Sequence, residues 1–242
     1  MPVSCHTCHL RQRPCFHRMA TDEIDFMERF KTGEVEIPAG GTIQMQGQHA
    51  PRLFTVLEGM GLRCLTLEDG RRQVVNFVLP GDLVGLQALL SGEAHASVEA
   101  TTPMRLCVFD RHRIWDLYRN QPERAFALTW AAAQEEHFLG EALATLGQRT
   151  ATEAVAWALA VLDRRLHDLG LEAGGSVPLP YRQQDLADAL GLSLVHTNKR
   201  LAVLRARGLA EWRGGRLTVP DRGALAEAAK APEPGGHKRP IL

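Results

Sequence analysis

The sequence predicts an α+β chain of three parts: an antiparallel β-roll, a long helix and a carboxy-terminal winged helix-turn-helix. Three observations carry that prediction. Short apolar or alternating runs broken by glycine-rich turns fill residues 34 to 109, a helical apolar period then persists to about residue 169, and Tyr181 to Gly208 describes two short helices meeting at a tight turn.

The bounds come first. A chain of 242 residues can form one large or two small domains, each with a buried core. Its 28 basic and 28 acidic residues cancel, so whole-chain charge gives no argument for a polyanionic partner and only local excesses count. No apolar run is long enough to span a bilayer, and the amino terminus is polar and rich in His and Cys where a secretory signal is apolar. A reducing, cytoplasmic setting is the expectation.

In chain order, residues 1–18 (MPVSCHTCHLRQRPCFHR) form a cysteine-rich arm holding three of the five cysteines, Cys5, Cys8 and Cys15. In a reducing compartment such a cluster is a metal ligand set or a redox site more often than a disulfide frame. Thiolates are soft donors suited to iron-sulfur clusters, zinc or copper. A fourth ligand is needed: His6, His9 or His17 would point to zinc, and a distant cysteine, Cys64 or Cys107, is the alternative.

Residues 19–109 form the roll. Strands are expected at Glu34 to Ile37, Thr42 to Met45, Leu53 to Glu58, Leu62 to Leu67, Gln73 to Leu79, Ala96 to Ala100 and Arg105 to Phe109. Gly40-Gly41, Gly47, Gly59, Asp69-Gly70, Pro80-Gly81-Asp82 and Ser91-Gly92 punctuate them, which gives an antiparallel double-sheet roll. Such a roll holds a small ligand between its sheets or serves as a packing module, and fold alone does not choose. A cupin-like metalloenzyme would build its site here from His49, Glu58, Glu68 and His95, but these show no paired ligand spacing, so the chain is not expected to be an enzyme.

Residues 110–148 are helical. Leu128, Ala131, Glu135, Phe138, Ala142 and Leu146 approximate a heptad-like stripe that suits a homodimer seam, although the same stripe could pack on its own roll. A separate amphipathic helix, Ala151 to Leu169, opens a domain spanning 149–229, with Ala154, Trp157, Ala158, Val161 and Leu162 inward.

Within that domain Leu186, Ala187 and Leu190 share one face of the first short helix, Gly191 supplies the turn, and Ser193 stands as N-cap of the second. Thr197, Leu201 and Leu204 face inward, which leaves Val195, Asn198 and Lys199 for base edges in a major groove. Ser193, His196 and Arg200 are candidates for phosphate contact, with Arg213 and Arg216 on a wing formed by two short strands around Gly214-Gly215. From Ser193 to Arg216 six basic residues face one acid, Glu211, the local excess that duplex DNA requires. Residues 230–242 (KAPEPGGHKRPIL) are Pro/Gly-rich and expected to be disordered.

Roll, long helix and winged helix in this order resemble the CRP/FNR family of bacterial transcription regulators. The resemblance covers nearly the whole chain and rests on DGRRQVVNFVLPGDLVGLQALL (Asp69 to Leu90), LGQRTATEAVAWAL (Leu146 to Leu159) and DLADALGLSLVHTNKRLAVLRARGL (Asp185 to Leu209). It implies a cyclic-nucleotide-binding-like jelly roll, a homodimer, double-stranded DNA as partner and contact with RNA polymerase. The nucleotide-binding branch of the family uses a Gly-Glu turn and a later Arg-Ser or Arg-Thr pair. Here the turn reads Pro80-Gly81-Asp82-Leu83 and the later stretch Glu93-Ala94-His95-Ala96-Ser97, so a nucleotide phosphate would lack its guanidinium partner and no cyclic nucleotide is expected. The FNR branch holds a [4Fe-4S] cluster on three amino-terminal cysteines and one near the end of the roll. Cys5, Cys8, Cys15 and Cys107 match those positions, which implies redox, oxygen or nitric oxide sensing and leaves Cys64 as core. A regulator of the same fold without a cluster, answering to thiol oxidation or another small molecule, is the alternative. The recognition helix departs from the FNR pattern of glutamate, serine and arginine, with Val195, Asn198 and Lys199 in those places, which implies a different half-site.

Overall fold

The computed structural model describes residues 3–231 and 238–242. It divides into two compact units, Met1–His137 with Lys238–Leu242, and Phe138–His237.

The first unit opens with a 3-10 turn, Cys5–Thr7, and helix α1, Thr21–Phe30. Strands β1 (Lys31–Ile37), β2 (Thr42–Gln44), β3 (Arg52–Glu58), β4 (Gly61–Thr66), β5 (Arg72–Val78) and β6 (Leu83–Val84) follow, then the short helix α2 (Leu86–Ser91), β7 (Ser97–Ala100) and β8 (Met104–Asp110). They form two antiparallel four-stranded sheets, in the orders β1-β8-β3-β6 and β2-β7-β4-β5. Phe54, Val56, Val78, Val84, Val98, Leu106 and Val108 fill the core, as period-2 apolar strands closing on one another require. Each of the seven expected runs falls on a strand, with Met45, Leu67, Leu79 and Ala96 just outside the strand ends. Sequence periodicity did not single out β6, only two residues long, or α1, whose Ile24, Met27 and Phe30 at three-residue spacing are buried and whose Phe30 stacks on Phe109 of β8 at 5.6 Å. The Ala20 N–H that opens α1 donates to Glu23 at 2.7 Å, half of a capping box.

Helix α3 (Ile114–Asn120) leads to α4, Pro122–Gln148, in which the two units meet along the chain. The second unit continues with α5 (Ala151–Asp168), β9 (Val177–Pro178), α6 (Gln183–Leu190), α7 (Leu194–Ala206), β10 (Glu211–Arg213), β11 (Arg216–Thr218) and α8 (Arg222–Ala228). Thr150 and Glu153 form the capping box that starts α5. Its Ala154, Trp157, Ala158 and Leu162 are buried as expected, whereas Val161 is half-buried. Strands β10, β11 and β9 make a small antiparallel sheet, so the wing has a third strand beyond the two expected around Gly214-Gly215.

The tail departs from its expectation of disorder. Residues 232–237 of that expectation lie outside the described residues, but Lys238–Leu242 belongs to the first unit, where Arg239 pairs with Phe16 in a parallel bridge.

Candidate nucleic-acid interface and thiol recess

The turn between α6 and α7 is set by local chemistry. Gly191 takes φ +62, a left-handed conformation that a side chain would strain, and Ala187 C=O accepts from both Gly191 and Leu192 N–H. Ser193 caps α7 by accepting from His196 N–H at 3.2 Å. Leu186, Ala187, Leu190, Thr197 and Leu204 are buried and Leu201 half-buried, which fixes the rotation of α7. Val195, 65% exposed, then stands on the open side with His196, Asn198 and Lys199, all exposed. A helix face carrying one apolar, one amide and one ammonium group, unobstructed by its own domain, has the donors and bulk that major-groove contact needs.

The other basic residues divide. Arg213, Arg205 and Arg207 are exposed. Arg200 folds back toward α5, its Nη1 reaching Thr152 Oγ1 at 3.4 Å. Arg216 is spent inside the wing: it donates to Ser176 Oγ at 2.8 Å, Ser176 C=O at 2.6 Å and Ala173 C=O at 3.0 Å. Gly214 and Gly215 both take positive φ, the turn that a two-residue hairpin demands, and Trp212 Nε1 anchors the wing on Leu179 C=O at 3.1 Å.

In the first unit Cys5, Cys8 and Cys107 line one recess together with Leu10, Met27 and Phe109. Cys15 is not among its lining residues. All five cysteines are thiols rather than disulfides, and Cys64 is buried in β4 as expected of a core residue. Burial, with the Glu28 charge beside it, pushes the Cys5 thiol up to about 11. Burial pushes Cys107 up to about 12, against the opposing pull of Lys31. Both are neutral at pH 7, so a metal ion must displace their protons. Among the described residues no three His, Cys, Asp or Glu side chains stand close enough to hold a metal as they are. Cys5, Cys8 and Cys107 thus line one recess without forming a ligand set there, although their thiols, once deprotonated, are the soft donors that a thiolate-bound metal centre takes. Of the histidines considered for zinc, His6 pairs with Asp25 at 2.9 Å and His9 lies 3.7 Å from Glu58. The four groups weighed for a cupin-like site, His49, Glu58, Glu68 and His95, are exposed.

A polar knot joins the roll to α4. Arg63 of β4 pairs with Glu135, donates to Leu83 C=O at 3.0 Å, and shares Glu135 with Asn76 of β5, whose Nδ2 lies 3.2 Å from Oε2. In the Pro80-Gly81-Asp82 turn, Asp82 Oδ2 accepts Leu79 N–H at 2.9 Å.

Residues 34–121 match the family "Cyclic nucleotide-binding domain" and residues 153–228 match "Crp-like helix-turn-helix domain". The chain is 30% identical over 236 residues to the transcriptional activator protein FnrL of Cereibacter sphaeroides, covering 96% of this chain and 94% of that one. The chain belongs to the CRP/FNR family of transcription regulators. Another CRP/FNR relative, the nitrogen fixation regulation protein FixK of Bradyrhizobium diazoefficiens, is 28% identical over 228 residues, 94% of either chain. The solved structure of FixK2 from Bradyrhizobium japonicum superposes with a TM-score of 0.74 at 26% identity, covering 84% of this chain and 98% of that one. As a CRP/FNR protein the chain is a DNA-binding regulator rather than an enzyme, and α6 and α7 are its helix-turn-helix.

Proposed function

We propose that the chain acts as a homodimer whose hold on DNA, and through it on RNA polymerase, is set by the redox state of its amino-terminal thiols, with Cys5, Cys8, Cys15 and Cys107 the ligands of a [4Fe-4S] cluster. That Cys107, distant in sequence, lines the same recess as Cys5 and Cys8 of the arm supports this reading. When bound, such a cluster supplies an iron-sulfur centre that oxygen or nitric oxide destroys. The chain's own residues do the rest. The 3-10 turn Cys5–Thr7 aims the first thiol, strand β8 fixes the last, and the segment ahead of Cys15 has to bring in the fourth. A cyclic nucleotide is not part of the proposal, because the stretch Glu93-Ala94-His95-Ala96-Ser97 offers its phosphate no guanidinium.

On DNA, Val195, Asn198 and Lys199 read bases, a thymine methyl, an adenine and a guanine respectively, while Ser193, His196, Arg200, Arg213 and Arg216 were the sequence candidates for phosphate. Of these, Arg213 and His196 are the exposed side chains best placed for it, since the other three have partners within the unit. Lys199→Ala is expected to lose roughly 1 to 3 kcal/mol of discrimination at one base pair, measured by competition against single-base operator variants. Equal loss on specific and random DNA would contradict the assignment. For the cofactor, protein purified without oxygen is expected to absorb broadly near about 400 nm and to carry about four irons per chain, and each single Cys→Ser change at positions 5, 8, 15 and 107 to abolish both. Colourless, iron-free protein whose DNA binding still responds to thiol oxidants would move the reading to direct thiol sensing.

A further inference from the structure

The five residues Lys238–Leu242 dock on the very arm that carries the cysteines. Arg239 N–H donates to Cys15 C=O at 2.8 Å and His17 N–H donates to Arg239 C=O at 2.9 Å, so the segment is added to the arm on either side of Phe16 as a strand is added to a sheet. The Arg239 guanidinium lies over the Phe16 ring, 4.8 Å from its centroid, and donates to Asp82 Oδ1 at 3.1 Å and Pro80 C=O at 3.0 Å. Gly81 makes room for this stack, because a Cβ there would run into the Phe16 ring. Further along, Ile241 is 5% exposed, and its C=O accepts from Arg124, itself paired with Glu23 at 2.9 Å. The hydroxyl of Thr55, buried on β3, donates to Leu242 C=O at 3.1 Å. Ile241 and Leu242 complete the wall of the recess shared by Cys5, Cys8 and Cys107.

We propose that Lys238–Leu242 is a latch on the thiol arm: docked, it pins the Cys15 segment against the roll and closes the recess, so that reagents reach Cys107 at its inner wall only when the latch lifts. A segment of five residues held by a few hydrogen bonds opens locally, well below the cost of unfolding the roll. The latch goes beyond the cluster reading, since access to the thiols matters whether they hold iron, zinc or nothing.

The test uses reduced, metal-free protein and iodoacetamide, with alkylation of Cys107, Cys5, Cys8 and Cys64 followed separately by peptide mass mapping. In Arg239→Ala, and in a chain lacking residues 238–242, Cys107 is expected to react about tenfold faster, the factor for a latch closed roughly nine-tenths of the time. Cys64, buried in β4, is expected to keep its rate. Adding the peptide Lys-Arg-Pro-Ile-Leu to the shortened chain restores the slow rate, and the same peptide with alanine for arginine does not. Unchanged Cys107 rates in both variants would overturn the latch, as would a parallel rise at Cys64, which signals general loosening. Because no metal is present, a failure of the cluster reading leaves this outcome intact, and the reverse also holds.

Discussion

Arg213 and Arg216 sit three apart in one hairpin, and nothing in their sequence context tells them apart. Both read as wing cations aimed at phosphate. The structure separates them: Arg213 is exposed, while Arg216 holds the turn at Ala173 and Ser176 with three hydrogen bonds. Arg216→Ala is therefore expected to cost about 1 to 2 kcal/mol of stability in a thermal or urea melt, the range for a lost cluster of partly exposed hydrogen bonds, whereas Arg213→Ala leaves the melt unchanged and lowers the salt dependence of DNA binding by about one counterion. An unshifted melt for Arg216→Ala would return that residue to the phosphate set. Composition revealed the charge, but a guanidinium on a flexible stem can turn either way, and only the neighbouring Ser176 carbonyl decides. The exposure of Val195, by contrast, was legible, because a short side chain points where its helix points.

At the scale of an element, α4 shows how far periodicity reaches. Of the stripe expected to form a seam, Leu128 is buried in its own unit, Glu135 pairs with Arg63, Phe138 stacks on Trp157 at 5.9 Å, Ala131 and Ala142 are half-buried, and Leu146 is exposed. The large apolar residues left open on the second half of the helix are Leu139, Leu143 and Leu146, at spacings of four and three, the interval of a two-helix seam. A helix with apolar residues on more than one face offers several stripes, and sequence cannot say which of them its own domain consumes. Leu143, 71% exposed, tests the choice. Leu143→Glu is expected to shift the proposed dimer to monomer in sedimentation and to weaken operator binding at least tenfold, the measure of losing one of two linked half-site contacts. A dimer of undiminished affinity would move the seam elsewhere.

For the whole molecule, the proposed pairing of two chains makes a geometric demand on DNA. Selection from random duplexes should return a near-palindrome whose half-site centres lie about 34 Å apart, one helical turn, and an isolated, unrepeated half-site would contradict the pairing. The order of roll, long helix and winged helix was legible because each part has its own apolar period and turn residues. The docked tail was not. Its hold on the arm runs through main-chain groups and one arginine, which leave no periodic trace in a stretch rich in proline and glycine. The knot of Arg63, Glu135 and Asn76 carries a consequence on a longer timescale. Deleting either charge strands the other in a place that solvent reaches poorly, a worse state than having both or neither. Across descendants of this chain positions 63 and 135 should accordingly drift as a couple, swapped together for an uncharged pair or inherited intact, with single replacements purged soon after they arise.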